Sequence, residues 1–182
     1  MRWLLLLCAC SCSSNQSIGS IGSHSVEVAK VAGAVHAATK TDPISSIDVV
    51  LTDDPGFPCE NVGRVLPTAA RSLDLRFFSI DGGSFVAPAA TGTYRVVDPT
   101  GTLLPDGQYG YAIYVESDPL CHIFAGNEIG GHEGTLTLTQ LSTAPGAAVA
   151  GSFDVTLAST DRLAGTFATH LCAQAADGGA CR

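Results

Sequence analysis

Three histidines, His122, His132 and His170, with Cys121 and Glu133 beside two of them, are the residues here best suited to holding a metal ion. Imidazoles and a carboxylate around zinc would lower the pKa of a bound water and create a hydrolytic nucleophile. The spacing argues otherwise. No H-x-H or H-E-x-x-H occurs, and His122 and His132 lie on separate parts of loop-like sequence. His170 alternates with Phe167, Thr169 and Leu171 and should point away from a core. The expectation is surface histidines, no metal and no cofactor.

Nucleophilic chemistry has less to stand on. G-x-S-x-G is absent, as is the strand-to-helix turn that would present its serine. Cys59 would be a nucleophile only as a free thiol. The carboxylates Asp53 and Asp54 open a Pro-Gly turn, which accounts for them, and Glu116 and Asp118 form no calcium pattern. The longest irregular stretch, residues 121–131, carries His122, Asn127 and Glu128 and leads into His132. Long loops on a rigid β scaffold are where binding tends to sit, so these four residues are the binding candidates. Tyr94, Tyr109, Tyr111 and Tyr114 fall in two neighbouring strands. Tyr114 points opposite to Tyr109 and Tyr111, which should leave a tyrosine on an exposed face.

The elements that would position these groups read as strands. Alternation is strict in residues 73–77, 109–115, 152–157 and 163–171, and strands are also expected at 47–52, 93–97 and 134–141. The Val-rich stretch 26–38 goes the same way on its β-branched content. Asp-Asp-Pro-Gly, Asp-Gly-Gly and Pro-Asp-Gly mark turns between them. A helical turn or two fits only near 60–65. Seven or eight strands joined mostly by short turns predict an antiparallel β-sandwich or barrel, mostly a meander, in one β domain of residues 25–182.

Composition agrees. Of 182 residues, 46% are hydrophobic and 14% charged, which suits a packed core and excludes disorder. A net charge of −8 repels phosphate backbones, so nucleic acid is excluded as a partner.

The first ten residues form a signal segment: Arg2, an apolar run from Trp3 to Leu7, then small residues and cysteines. Leu7-Cys8-Ala9-Cys10 resembles the bacterial lipoprotein signal. That resemblance makes Cys10 the lipid-bearing residue, with Cys12 as second choice, and the Ser11 after Cys10 favours the outer membrane. Residues 11–24 are dominated by Ser and Gly and read as a flexible tether. The partners expected are then the membrane, through an N-terminal lipid, and an envelope protein or glycan. Beyond the signal and tether remain Cys59, Cys121, Cys172 and Cys181, four exported cysteines with no C-x-x-C pair. They suggest two disulfides. Counting strand directions through a simple meander brings Cys59 and Cys172 to one end and leaves Cys121 for Cys181.

The C-terminal half carries Gly134-Thr135-Leu136-Thr137, then Val149-Ala150-Gly151-Ser152-Phe153-Asp154, then Asp161-Arg162-Leu163-Ala164-Gly165-Thr166-Phe167, ending at Cys172. This cadence resembles uncharacterised predicted lipoproteins of the myxobacterial type, firmly over residues 132–172 and loosely over 45–130. The resemblance supports compartment and fold and implies no activity. Its residues are explicable by packing alone, with Gly151 and Gly165 at strand starts and Phe153 pairing with Phe167 across a hairpin. The reading is a non-catalytic binding or structural domain at the envelope. The alternatives are a metal-assisted or convergent hydrolase, and a disulfide-stabilised inhibitor presenting 121–131.

Overall fold

The computed structural model describes residues 16–38, 43–62, 69–98, 104–118 and 123–172. Eleven strands occur among them: β1 Gln16–Ile21, β2 His24–Val28, β3 Lys30–His36, β4 Ser46–Thr52, β5 Arg71–Asp81, β6 Ser84–Val86, β7 Gly92–Val96, β8 Gly107–Ser117, β9 Ile123–Gln140, β10 Ala148–Leu157 and β11 Arg162–Cys172. Eight of them close into a barrel in the order β10-β9-β7-β8-β5-β4-β3-β11, sealed by pairing of β11 with β10. Closure removes sheet edges and lets one face of every strand share a single core.

That core is what the alternating sequence dictates. Leu73, Leu75 and Phe77 of β5, Tyr114 of β8, Leu136 and Leu138 of β9, Phe153 and Val155 of β10, and Leu163 and Phe167 of β11 all point inward and are buried. Phe77 meets Tyr94 edge-on at 5.5 Å and Phe167 at 5.9 Å between ring centroids, so side chains fill the barrel axis. The turn between β5 and β6 uses Gly82 and Gly83 at positive φ (55° and 77°), the conformation a two-residue hairpin of the right twist requires.

Several expectations are corrected. The sheet is a mixed barrel, neither a sandwich nor purely antiparallel: β3 runs parallel to β11, and β7 parallel to β8. The meander fails at β8, which pairs with β5 across the intervening β6 and β7. Residues 11–24 are not all tether. β1 and β2 form a hairpin whose Gly19 pairs with Leu163 of β11, and Ile18, Val26 and Val28 join the barrel core. The packed part of the described residues therefore reaches back at least to Gln16, into the stretch read as tether; two isoleucines in a Ser/Gly background are enough to complete a strand when a partner supplies the other half of the ladder. The 26–38 stretch is two strands broken at Ala29, and near 60–65 the described residues give one 3-10 turn, Cys59–Asn61.

Candidate functional site

The irregular stretch proposed for binding is not a loop over its described part. β9 runs from Ile123 and pairs with β8 through Ser117↔Ile123, Val115↔Glu128 and Ile113↔Gly130. Asn127 and Glu128 are therefore strand residues, while His122 and Cys121 lie outside the described residues, as does Cys181. Gly130 and Gly131 read as a loop signal. In the structure Gly131 instead lets β9 pass close to Ala112, whose Cβ lies 3.3 Å from where a side chain would begin.

His132 and His170 are both exposed and stand apart. Each is on a strand flanking β10, but His132 is level with the Thr156–Leu157 end and His170 opposite Ala148. About eight residues of strand, roughly 27 Å, separate those levels. Asp53 and Asp54 serve the turn as expected: Asp54 Oδ1 accepts from the Gly56 amide at 2.8 Å, and Asp53 Oδ1 from the Arg71 amide at 2.8 Å. Glu116 accepts from the Tyr114 hydroxyl at 2.6 Å and pairs with Arg71. That bond and burial, with burial the larger cause, push the Tyr114 phenol far above its usual range. None of the four tyrosines is exposed. Tyr94 and Tyr114 fill the core, whereas Tyr109 and Tyr111 point outward and are covered.

Cys59 and Cys172 form a disulfide with a Cα–Cα distance of 5.7 Å. It is the pair the strand count named, reached by another route. Cys172 ends β11 opposite Ala34, near the start of β4, while Cys59 follows the end of β4. They meet because the chain after β4 folds back over the outer wall, packing Phe57 and Val62 on Ala32, Ala34 and Val50.

Two features of the outer wall gather charged side chains. One is a groove of about 510 Å³ lined by Arg95, Val96, Val97, Asp98, Leu104, His132, Glu133 and Gly134. The Arg95 guanidinium sits 5.4 Å from the centroid of the Tyr109 ring, and His132 Nε2 is 4.0 Å from Glu133 Oε1. Its floor is strand, so the polar groups converge on a rigid surface. Of the four binding candidates, His132 is among its lining residues.

The other feature is a charged cluster on β4 and β5, in which Asp48 and Arg76 are buried and Asp74 is half-buried. Asp48 Oδ1 accepts from Ser46 Oγ at 2.7 Å and from Arg76 Nε at 3.0 Å, and the guanidinium stands 5.1 Å from the Tyr111 ring centroid. Asp74 lies diagonally opposite, next to Val50 in the register, with its Oδ1 closed off from solvent and accepting no hydrogen bond among the described residues. Burial pushes the Asp48 carboxyl upward, opposed mainly by the Arg76 charge. Burial and then repulsion from Asp48 push Asp74 up to about 7, opposed by Arg76. Alternation in residues 73–77 places Asp74 and Arg76 on the face opposite Leu73, Leu75 and Phe77, and in the structure that face is partly covered. The overlooked signal was apolar: Phe78, Ile80, Tyr109, Tyr111 and Ile113 share that face, and so many large hydrophobics outside a barrel imply a second layer.

No protein-family model, curated protein or solved structure matches the chain. The reading of function therefore rests on these residues and this geometry.

Proposed function

We propose that this is an exported, lipid-anchored β-barrel that binds an envelope protein or glycan without catalysing a reaction. The observation that carries the reading is the groove of Arg95, Asp98, His132 and Glu133. A barrel filled with side chains offers ligands its outer wall, and this groove sets hydrogen-bonding groups of both charges on an apolar strand floor. The anchor is supported by the Leu7-Cys8-Ala9-Cys10 signature and by the likeness of residues 132–172 to predicted lipoproteins of the myxobacterial type, and Ser11 favours the outer membrane. With Gln16 already in strand, Cys10 holds the barrel within about 20 Å of its lipid, a close mooring.

A photo-crosslinker placed at position 133 in cells should give one discrete adduct, whose mass tells a protein from a glycan. The same probe at position 164, exposed on β11, should give none. No adduct at 133, or equal labelling at both positions, would overturn the groove as the binding site. Fatty-acid labelling should be lost in Cys10→Ser. Labelling that persists moves the anchor to Cys12, and an unlabelled parent protein removes the anchor altogether.

A further inference from the structure

Charge is distributed unevenly around the barrel wall. Residues 134–153 and 165–171 carry no Asp, Glu, Lys or Arg, in a chain of which 14% is charged. They supply the end of β9, the start of β10 and the body of β11. Their outward side chains are mostly small or hydroxylated, and one row of hydroxyls crosses four strands. Thr93 stands opposite Thr137, Thr137 opposite Ser152, and Ser152 opposite Thr166. The face ends at the level of Ala164, where Asp154 pairs with Arg162 and the two charges cancel. β5 lies four strands from β10 in either direction round the barrel, about 19 Å along the wall. On that side β4, β5, β8 and the turn after β4 carry Asp48, Asp53, Asp54, Asp74, Asp81 and Glu116 against Arg71 and Arg76.

The N-terminal chain joins the barrel in this uncharged face. Gln16 opens β1, is exposed, and lines a trough of about 660 Å³ with Thr139, Ala150, Ser152, Thr166 and Ala168. β1 reaches that place because Gly19 pairs with Leu163 of β11, whereas β3 joins β11 further on, at Leu171 and Cys172. Running antiparallel to β11 from that pair, β1 carries Gln16 toward Thr166. The chain from Cys10 to Gln16 spans at most about 20 Å when extended. With lipid on Cys10, the part of the barrel that holds Gln16 is the part kept nearest the bilayer.

We propose that the uncharged face of β9, β10 and β11 is the one the barrel lays on its membrane, with the row of hydroxyls against the lipid headgroups and the acidic wall turned to solvent. The inference rests on the lipid-anchor reading and names the surface which that reading leaves open. A net charge of −8 is repelled by anionic phospholipid. That repulsion selects an orientation. An acidic wall within a Debye length of the phosphates, about 8 Å, is penalised, and the same wall on the far side of the barrel is screened. Thr and Ser hydroxyls both donate and accept hydrogen bonds, so they meet headgroup oxygens and their bound water with no charge to desolvate. The lipid supplies the attachment, and the face supplies the orientation.

The test uses the full lipidated chain in nanodiscs of phosphatidylcholine with a minority of phosphatidylglycerol and a trace of lipid carrying a headgroup nitroxide. Proton relaxation at the Thr137, Ser152 and Thr166 amides should be enhanced several-fold more than at Leu75 on β5 and Ala112 on β8. Thr93→Glu combined with Thr166→Glu, both at exposed positions, should lower the enhancement at Ser152 in the anionic discs and recover it in discs of phosphatidylcholine alone. Mass spectrometry of the same sample reports whether the chain carries lipid. A lipidated chain with uniform enhancement, or with the strongest enhancement on β5 and β8, overturns the face and leaves the anchor standing. So does a double variant that matches the parent in anionic discs. A chain without lipid overturns the anchor and the face together. Loss of the enhancement as protein concentration rises, with the same amides shielded in a dimer, would replace the bilayer by a second copy of the chain.

Discussion

Gly151 offers the sharpest test of the packing argument, because two glycines in one hairpin are predicted to behave differently. In the β10–β11 register Gly151 stands opposite Phe167, and Phe153 opposite Gly165. The phenylalanines therefore do not pair with each other across the hairpin, and the glycines are not at strand starts. Each ring instead lies over a glycine that leaves it room. A Cβ on Gly151 would lie 2.0 Å from the Thr137 carbonyl oxygen and 2.7 Å from Phe167 Cζ. The first contact is with ladder backbone on β9 and cannot relax without breaking the pairing of Gly151 with Leu138. A Cβ on Gly165 would meet only side-chain atoms: Phe153 Cζ at 3.0 Å, Phe153 Cε1 at 3.2 Å and Ile18 Cγ2 at 3.3 Å. Overpacking costs about 1–3 kcal/mol, and a lost ladder hydrogen bond adds about 1. Gly151→Ala should therefore cost about 2–4 kcal/mol, and Gly165→Ala about 1, since a ring edge can shift by a few tenths of an ångström. With a urea slope of about 2 kcal/mol/M, the Gly151 variant should unfold roughly 1–2 M earlier. Gly130→Ala, which meets nothing within 4 Å, is the control. Equal midpoints for the Gly151 and Gly165 variants would refute the distinction between a backbone wall and a side-chain wall.

Phe167→Ala removes a ring buried against Phe77 and should cost about 3–5 kcal/mol in the same urea melts. Asp154→Ala removes only an exposed pairing with Arg162, which water and salt screen, so its midpoint should match the parent within repeat error. Replacing Cys59 and Cys172 together by alanine opens a closed loop with a sequence separation of 113. The chain-entropy account puts the loss at about 4–5 kcal/mol, read as an earlier thermal and urea transition, and an unchanged transition would show that the staple does not constrain the unfolded chain.

What the sequence determined by itself is local. Alternation named the inward residues of β5, β10 and β11, because a strand's side-chain period is set by its own backbone and needs no partner to be read. Turn residues marked where strands stop for the same reason: positive φ and a missing amide are properties of single residues. Pairing is different, because it joins segments far apart in the chain. Gln16–Ile21 is too sparse in hydrophobics to declare itself, yet it becomes a strand once Leu163 and Val28 lie beside it. The Gly-rich stretch after Ile123 looks like a loop until β8 supplies its hydrogen bonds. The parallel pairing of β3 with β11 brings together residues 33 and 171, which no local pattern could announce. The candidate sites show the same division. His132 was legible as an exposed polar residue, whereas its groove required Arg95 from another strand. Asp74 and Arg76 were legible as charges on the face opposite Leu73, Leu75 and Phe77, but only the tertiary structure decided that this face buries Arg76 and, beside it, Asp48. The period of a strand says which way a side chain points, and the connections folded over that face decide what medium it meets, hence whether a carboxylate there is ionised.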